Sequence, residues 1–309
     1  MASIARSLLL QAANSPWLAR QMSQRAFARR AVRRFMPGEA LDDALAAAEA
    51  LAAQKLGTLV TQLGENLTRP EEAVAVRDHY LDALARIQAR GLPTAVSIKP
   101  TQLGLDLSQA DCRAHVLALA ERAEATGTTL WIDMEDSSYV DRTLDLYRAL
   151  LERHPGGGLA LQAYLRRTPA DLETLLPLKP TIRLVKGAYA EPPSLAFAAK
   201  RETDLAYYAL GRRLLEAAAK GQAKPIFGTH DMVLVERLVE AARELGVPDG
   251  GYEIHMLYGI GTDHQQALVR HGRVVRTLIS YGHAWFKWYM RRLAERPANV
   301  WFVIRSMLG

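Results

Sequence analysis

Cysteine is the scarcest residue in this chain of 309: Cys112 stands alone, so no internal disulfide can form and no cysteine cluster can hold zinc or an iron–sulfur centre. That usage suits a reducing compartment. No apolar run approaches membrane-spanning length, and the Leu8-Leu9-Leu10 triplet is too short for the hydrophobic core of a secretory signal. The histidines at 255, 264, 271 and 283 show neither His-x-His nor His-Glu-x-x-His spacing, which argues against a resident metal. A Gly-x-Ser-x-Gly elbow is missing, which speaks against a serine hydrolase. No β-rich run is followed by Gly-x-Gly-x-x-Gly, the fingerprint a doubly wound dinucleotide fold would need.

Acidic residues are missing from one place only. Residues 1–37 hold seven arginines (Arg6, Arg20, Arg25, Arg29, Arg30, Arg33 and Arg34) and no acid. The whole chain has 39 basic against 33 acidic residues and a net charge of +6, so the other 272 positions carry 32 against 33 and are close to neutral. A positive total invites a nucleic-acid reading, but here the charge belongs to one terminal segment. That segment is read as a basic helical preface docked on the rest; a targeting presequence and a nucleic-acid-binding arm are the weaker alternatives.

What is present is a rhythm. A helical pattern over 40–55 places Leu41, Ala44, Leu45, Ala48 and Leu51 on one face and stops at Gly57. Eight short β-rich runs follow, at 58–63, 95–99, 130–134, 159–163, 182–185, 225–228, 252–256 and 274–279. Helical patterns separate them at 71–90, 109–126, 140–153, 203–220, 232–245 and 265–271, and Gly91, Gly127, Gly221, Gly246 and Gly272 fall where helices should end. Alternating β and α units predict an α/β fold with a parallel sheet, and eight of them favour closure into a (β/α)8 barrel, with an open doubly wound sheet as the alternative. Residues 1–56 are then an N-terminal helical segment and 57–309 one catalytic barrel.

Barrel enzymes draw their functional groups from the C-terminal ends of the strands. Those ends are polar here: Glu65; Lys99; Asp133, Met134, Glu135 and Asp136; Gln162; Arg183, Lys186, Gly187, Ala188 and Tyr189; Thr229, His230 and Asp231; and Glu253 with His255. Lys99 and Lys186 could pair with neighbouring carboxylates, form a Schiff base, or grip an anionic substrate; the nearby acids Asp133, Glu135, Asp136 and Glu65 favour protonated lysines and hence gripping. Arg183 lies inside the apolar run 182–185, where a guanidinium is costly unless a partner satisfies it. Thr229-His230-Asp231 could hold a phosphate or a ribose. Cys112 shares a helix face with Val116 and Leu119 and reads as a small core residue.

Seven blocks in order give the chain a family likeness: Leu63-Gly64-Glu65, Ser97-Ile98-Lys99, Asp133-Met134-Glu135-Asp136, Leu161-Gln162-Ala163-Tyr164-Leu165, Arg183-Leu184-Val185-Lys186-Gly187-Ala188-Tyr189, Thr229-His230-Asp231 and Arg291-Arg292-Leu293-Ala294-Glu295. Together they resemble the monofunctional proline dehydrogenases. The resemblance implies a distorted (β/α)8 barrel with N-terminal helices, FAD at its mouth, oxidation of proline to 1-pyrroline-5-carboxylate by hydride transfer to flavin N5, and a quinone as electron acceptor. It implies that Asp133 and Arg183 are catalytic, Arg183 lying by the flavin and Asp133 ordering the cations. Lys99, Arg291 and Arg292 would bind the substrate carboxylate, Leu278 would wall the ring, and Glu65 would pair with Arg291 as a gate. Met134, Gln162, Arg183, Lys186, Gly187, Ala188, Thr229 and His230 would contact the cofactor. The implied location is cytoplasmic, with residues 1–37 making a peripheral contact at the inner face of the membrane and with no role for nucleic acid.

Four positions depart from the family pattern. Leu278 stands where a tyrosine is usual beside the substrate ring, Ser280 for a proline, His255 for a glutamine, and Pro100 for an apolar residue. Leucine keeps an apolar wall and leaves room, so a hydroxylated or larger cyclic imino acid is the alternative substrate. A Schiff-base aldolase on the same barrel, using Lys99 or Lys186, is the rival enzyme, and a basic-armed binding protein the rival without chemistry.

Overall fold

The computed structural model describes residues 32–64, 67–286 and 288–290. Eight strands form a closed parallel barrel in chain order: β1 (Gly57–Gln62), β2 (Thr94–Ile98), β3 (Leu130–Ile132), β4 (Gly158–Gln162), β5 (Thr181–Val185), β6 (Lys224–Gly228), β7 (Glu253–Leu257) and β8 (Val275–Tyr281). Pairing of β8 with β1, from Gly57 opposite Arg276 to Gln62 opposite Tyr281, closes the ring and removes the open sheet as an alternative.

Helix α1 (Leu41–Ala52) precedes the barrel and packs across β1 and β8. The others follow their strands: α2 (Pro70–Ala89), α3 (Gln109–Thr126), α4 (Val140–Leu151), α5 (Thr168–Leu175), α6 (Lys200–Ala219), α7 (Met232–Glu244) and α8 (Thr262–Arg270). Their ends obey local chemistry. Ser108 caps α3 by accepting from the Asp111 N–H, and Gly127 ends it with φ of 66°, a conformation a side chain would strain. The other four glycines expected at helix ends also have positive φ.

Three differences from the sequence reading have physical causes. Helix α5 fills the one gap between strands for which no helical pattern was singled out, because eight residues led by Thr168-Pro169 are too few to display a period. Strand β3 stops at Ile132, two residues early, where its pairing with β2 and β4 ends, although the Asp133 N–H still bonds Ile98 O at 2.8 Å. Strand β8 runs on to Tyr281, whose hydroxyl meets His79 Nε2 at 2.7 Å outside the barrel.

Two packed regions result. Between barrel and helices lies the larger core, where buried tyrosines satisfy their hydroxyls on strand backbone: Tyr80 accepts from the Gln62 N–H and donates to Ser97 O, and Tyr207 donates to Leu184 O. Cys112 belongs to this core, and burial, with lesser help from Glu135, pushes its thiol up to about 12, consistent with a packing role. Inside the barrel, Leu59, Ala95, Trp131, Ile226 and Leu278 meet from β1, β2, β3, β6 and β8. Strand alternation then assigns the inward positions above and below them. Towards the strand starts are Lys224, Glu253 and Arg276; towards the mouth are Ser97, Asp133, Gln162 and Ser280.

The described part of the basic preface is docked, as expected. Val32, Phe35 and Met36 are buried, the Phe35 and Tyr289 rings lie 6.1 Å apart, and Trp285 Nε1 donates to Glu39 at 3.0 Å. Residues 1–31 lie outside the described residues.

The interior tolerates its one indole through a glycine. Gly158 sits opposite Trp131 in the β3–β4 register, and a Cβ there would come within 2.3 Å of the indole. Gly158→Ala is therefore expected to displace Trp131 and cost about 1–3 kcal/mol in urea unfolding; an unchanged midpoint with unchanged tryptophan fluorescence would contradict this packing.

Candidate active site at the barrel mouth

Arg183 is the centre of the site. It occupies the middle of β5, faces inward, and is only 4% exposed. Its Nη2 donates to Ser97 Oγ at 3.1 Å and to Asp133 Oδ1, and its Cζ lies 4.9 Å over the ring of Trp131. Its other amine, Nη1, is buried without a hydrogen-bond partner among the described residues. Burial pulls the guanidinium below its usual value, and Asp133 opposes that pull.

Asp133 serves three donors. Oδ1 accepts from Ser97 Oγ at 2.9 Å as well as from Arg183, and Oδ2 accepts from Lys99 Nζ at 3.4 Å. Burial alone would raise its carboxyl, but the charges of Arg183 and Lys99, with hydrogen bonds from Ser97 and Lys99, hold it below the usual range. Two cations therefore share one carboxylate, and the surplus positive charge faces the mouth. Such a cluster suits an anionic group or negative charge that develops during a reaction.

The neighbouring strand ends complete the rim. Gln162 uses Nε2 on the carbonyls of Glu135 (3.2 Å) and Met134 (3.5 Å), which holds the loop after β3, and its Oε1 is buried without a partner among the described residues. Met134 is buried beside it. Glu135, expected to help charge the lysines, accepts instead from the Thr101 N–H and hydroxyl at 3.0 and 2.6 Å. Gly187, with φ of 117°, passes so close over Tyr164 that a Cβ would lie 2.1 Å from the ring, and Ala188 beyond it is exposed. Thr229 accepts the Asp231 N–H, and His230 Nε2 accepts the Leu257 N–H, tying the ends of β6 and β7 together.

Lys186 stands apart from the Arg183 cluster. At 26% side-chain exposure, it donates to Asp204 at 2.5 Å and Asp231 at 2.8 Å, and Lys200 pairs with the same two carboxylates. Lys99 and Lys186, both read from the sequence as gripping an anionic substrate, thus sit in two separate clusters among the described residues. Lys99, Asp133 and Arg183 come together, while Glu65, Arg291 and Arg292 lie outside the described residues.

Sequence reasoning missed several members. Ser97 and Trp131 lie two residues before Lys99 and Asp133, so strand alternation was the available signal. Asp204, on α6, had no signal at all. Below the mouth, His255 is buried and donates through Nε2 to Glu253 at 3.2 Å; Glu253 also takes Lys224 at 2.6 Å and Arg276 at 2.7 Å. Burial would raise Glu253, but His255, Arg276 and Lys224 hold it well below the carboxylate range. Burial, helped by Arg183 and Arg276 and opposed by Glu253, pushes His255 down to about 4. Among the described residues no cluster of histidine, cysteine and carboxylates could hold a metal, and no helix is long and apolar enough to cross a membrane.

A family model described as proline dehydrogenase matches residues 44–305. Proline dehydrogenase 1 of Bacillus subtilis subsp. natto is 35% identical over 277 residues, covering 89% of this chain and 90% of its own length. The proline dehydrogenase of Deinococcus radiodurans is 32% identical over 284 residues, covering 89% of both. Among solved structures, proline utilization A from Bdellovibrio bacteriovorus, inactivated by N-propargylglycine, matches 86% of this chain with a TM-score of 0.80 at 22% identity, a likeness of fold. Proline utilization A of Bradyrhizobium japonicum matches 91% with a TM-score of 0.76 at 26% identity. This chain spans 32% of each of those two longer proteins.

Two outcomes follow from the charges. Asp133→Asn strands the buried Arg183 charge and should cost about 3–5 kcal/mol, with Arg183→Met in the same chain restoring part of the loss; urea unfolding reads both, and additive losses would contradict a buried pair. The His255 value is depressed from 6.5, so the unfolded chain takes up this proton first. The stability present above pH 6.5 is lost as the pH falls towards 4, by roughly 3 kcal/mol in all. His255→Gln should flatten that slope relative to the unmodified chain when unfolding is measured between pH 4.5 and 7.5; parallel curves would refute it.

Proposed function

The chain belongs to the proline dehydrogenase family and oxidises proline to 1-pyrroline-5-carboxylate, and from that premise we propose that FAD is its cofactor, held by the groups around Arg183 at the barrel mouth. The observation that carries this reading is the pair of buried polar atoms left over there: Arg183 Nη1, a donor, and Gln162 Oε1, an acceptor. A flavin ring edge offers both kinds of complement, so the residues fit the group. FAD, when bound, supplies the acceptor for the hydride that leaves the ring carbon next to the proline nitrogen.

The protein's own part is electrostatic and positional. Arg183 presents a fixed cation where negative charge develops, at no cost of reorganisation because Ser97 and Asp133 already hold it. Lys99, with Arg291 and Arg292, takes the substrate carboxylate, and Asp133 keeps Lys99 charged and oriented. Glu65 closes the site by pairing with Arg291. Met134, Gln162, Lys186, Gly187, Ala188, Thr229 and His230 would hold the cofactor, with Asp204 and Asp231 fixing Lys186 in place. Electrons pass on to a quinone, and the basic preface of residues 1–37 makes a peripheral contact with an anionic membrane from the cytoplasmic side. A Schiff-base aldolase is not supported, since Lys99 and Lys186 are each engaged by carboxylates.

Leu278 favours a second substrate. It is only partly buried at the edge of the interior cluster, and it carries neither a hydroxyl nor a ring of its own. Hydroxylated and larger cyclic imino acids should therefore compete well with proline.

Purified protein should be yellow, and anaerobic proline should bleach it. Arg183→Ala should slow that bleaching at least a hundredfold with FAD still bound, and Lys99→Ala should weaken proline binding about tenfold or more. Colourless protein, or unaltered reduction in Arg183→Ala, would refute the reading. Leu278→Tyr should raise the preference for proline over 4-hydroxyproline about tenfold in kcat/KM; a preference that does not move would remove Leu278 from the substrate pocket.

A further inference from the structure

Below the mouth, the barrel interior holds a column of polar groups that proline oxidation, as described above, leaves without a task. Among the described residues Arg183 is held at one amine only, since Ser97 and Asp133 both engage Nη2. A guanidinium pinned at one nitrogen can still pivot about it, which would swing Nη1 away from the mouth. The second constraint is a plane: the Trp131 ring, 4.9 Å beneath Cζ. That plane is itself held from the side. The His255 ring meets Trp131 edge-on, with centroids 5.4 Å apart and planes at 68°.

His255 can serve as a rigid stop because it is anchored and neutral. It is 4% exposed, and its Nε2 proton goes to Glu253. Glu253 is in turn fixed by Lys224 from β6 and Arg276 from β8, so the carboxylate is locked into the strand ends at the base of the barrel. A charged imidazole would repel the guanidinium that it supports; burial and the cations Arg183 and Arg276 keep it uncharged. The chain of contacts thus runs from the ion-paired base, through His255 and Trp131, to Arg183.

We propose that His255 is a positioning residue: acting through Trp131, it sets the tilt of the Arg183 guanidinium and so the strength with which that cation favours the reduced cofactor. The proposal rests on the reading of Arg183 as the cation serving the flavin. Because His255 acts through Trp131, its effect should appear in the redox properties of the site and not in the affinity for proline.

The test is the midpoint potential of bound FAD in the holoenzyme, with the rate of flavin reduction at saturating proline and the proline dissociation constant from the same traces. His255→Ala removes both the stop and the donor to Glu253. It should weaken the preference for reduced flavin about tenfold, a shift of about 30 mV to more negative potential for a two-electron couple. Reduction should slow about tenfold, with proline binding unchanged within about twofold. His255→Gln, which keeps a donor and comparable reach, should restore both to within about threefold. Should His255→Ala fail to load FAD, His255→Leu fills the volume without the donor and should show the same negative shift. Wild-type potential in His255→Ala or His255→Leu overturns the proposal, as does a change confined to proline binding. Arg183→Lys separates the two levels. If it moves the potential and the His255 variants do not, the positioning role alone fails; if it leaves the potential unchanged, the reading of Arg183 fails and this inference with it.

Discussion

A buried guanidinium tied to one carboxylate organises this protein. Taking Arg183 and Asp133 out of water costs several kcal/mol per ion, and their attraction repays it only where geometry and further hydrogen bonds are good. Ser97 supplies such bonds to both partners, and Lys99 adds a second positive charge to Asp133. The pair is a poor way to gain stability, because an apolar pair of similar volume would fill the barrel more cheaply. Its retention makes sense as a means of presenting one positive, incompletely bonded amine to the mouth in a fixed place.

The rest of the barrel interior can be understood from that requirement. Interiors of such barrels usually fill with layers of branched aliphatic side chains. Here aliphatic residues make up only part of the middle tier, with Leu59, Ile226 and Leu278 around Trp131, and the tier beneath is ionic, with Glu253 shared among His255, Lys224 and Arg276. An aromatic plate and a charged base give the guanidinium a surface to rest on, where a layer of flexible aliphatic chains would let it move. Gly158 makes room for the plate, which ties a backbone choice on β4 to the electrostatics of β5. Stability comes mainly from the outer core between strands and helices, where the large buried side chains and the satisfied tyrosine hydroxyls lie.

The fold was legible in the sequence to an unusual depth. Short β-rich runs alternate with longer helical periods, and glycines that adopt positive φ punctuate them, so all eight strands and their order could be read directly. Asp133 and Lys99 were legible as polar residues at strand ends, and Arg183 as a charge inside an apolar run, where a core strand would not choose them. What the sequence could not display was facing. Parallel barrel strands are buried on both sides and read as continuous apolar runs, so alternation marks no inner face until one residue is placed. Trp131 and Ser97 were hidden for that reason. The partners of Lys186 were hidden for another: Asp204 comes from a helix and Asp231 from a different strand end, and the pairing of β5 with β6, with α6 packed beside both, brings them together.

The charge of +6 also takes on a different meaning once the chain is folded. It is carried by the basic preface, while the charges that matter for the reaction sit in a body with nearly equal numbers of acids and bases, and among the described residues Arg183 keeps one buried donor without a partner. That leftover donor is the central claim, and a crystal structure of the FAD-bound protein tests it most directly. Arg183 Nη1 is expected within hydrogen-bond distance of the isoalloxazine ring, with Nη2 still on Asp133 and Ser97. A flavin bound elsewhere, or Nη1 satisfied by another protein group while the ring lies out of reach, would contradict it.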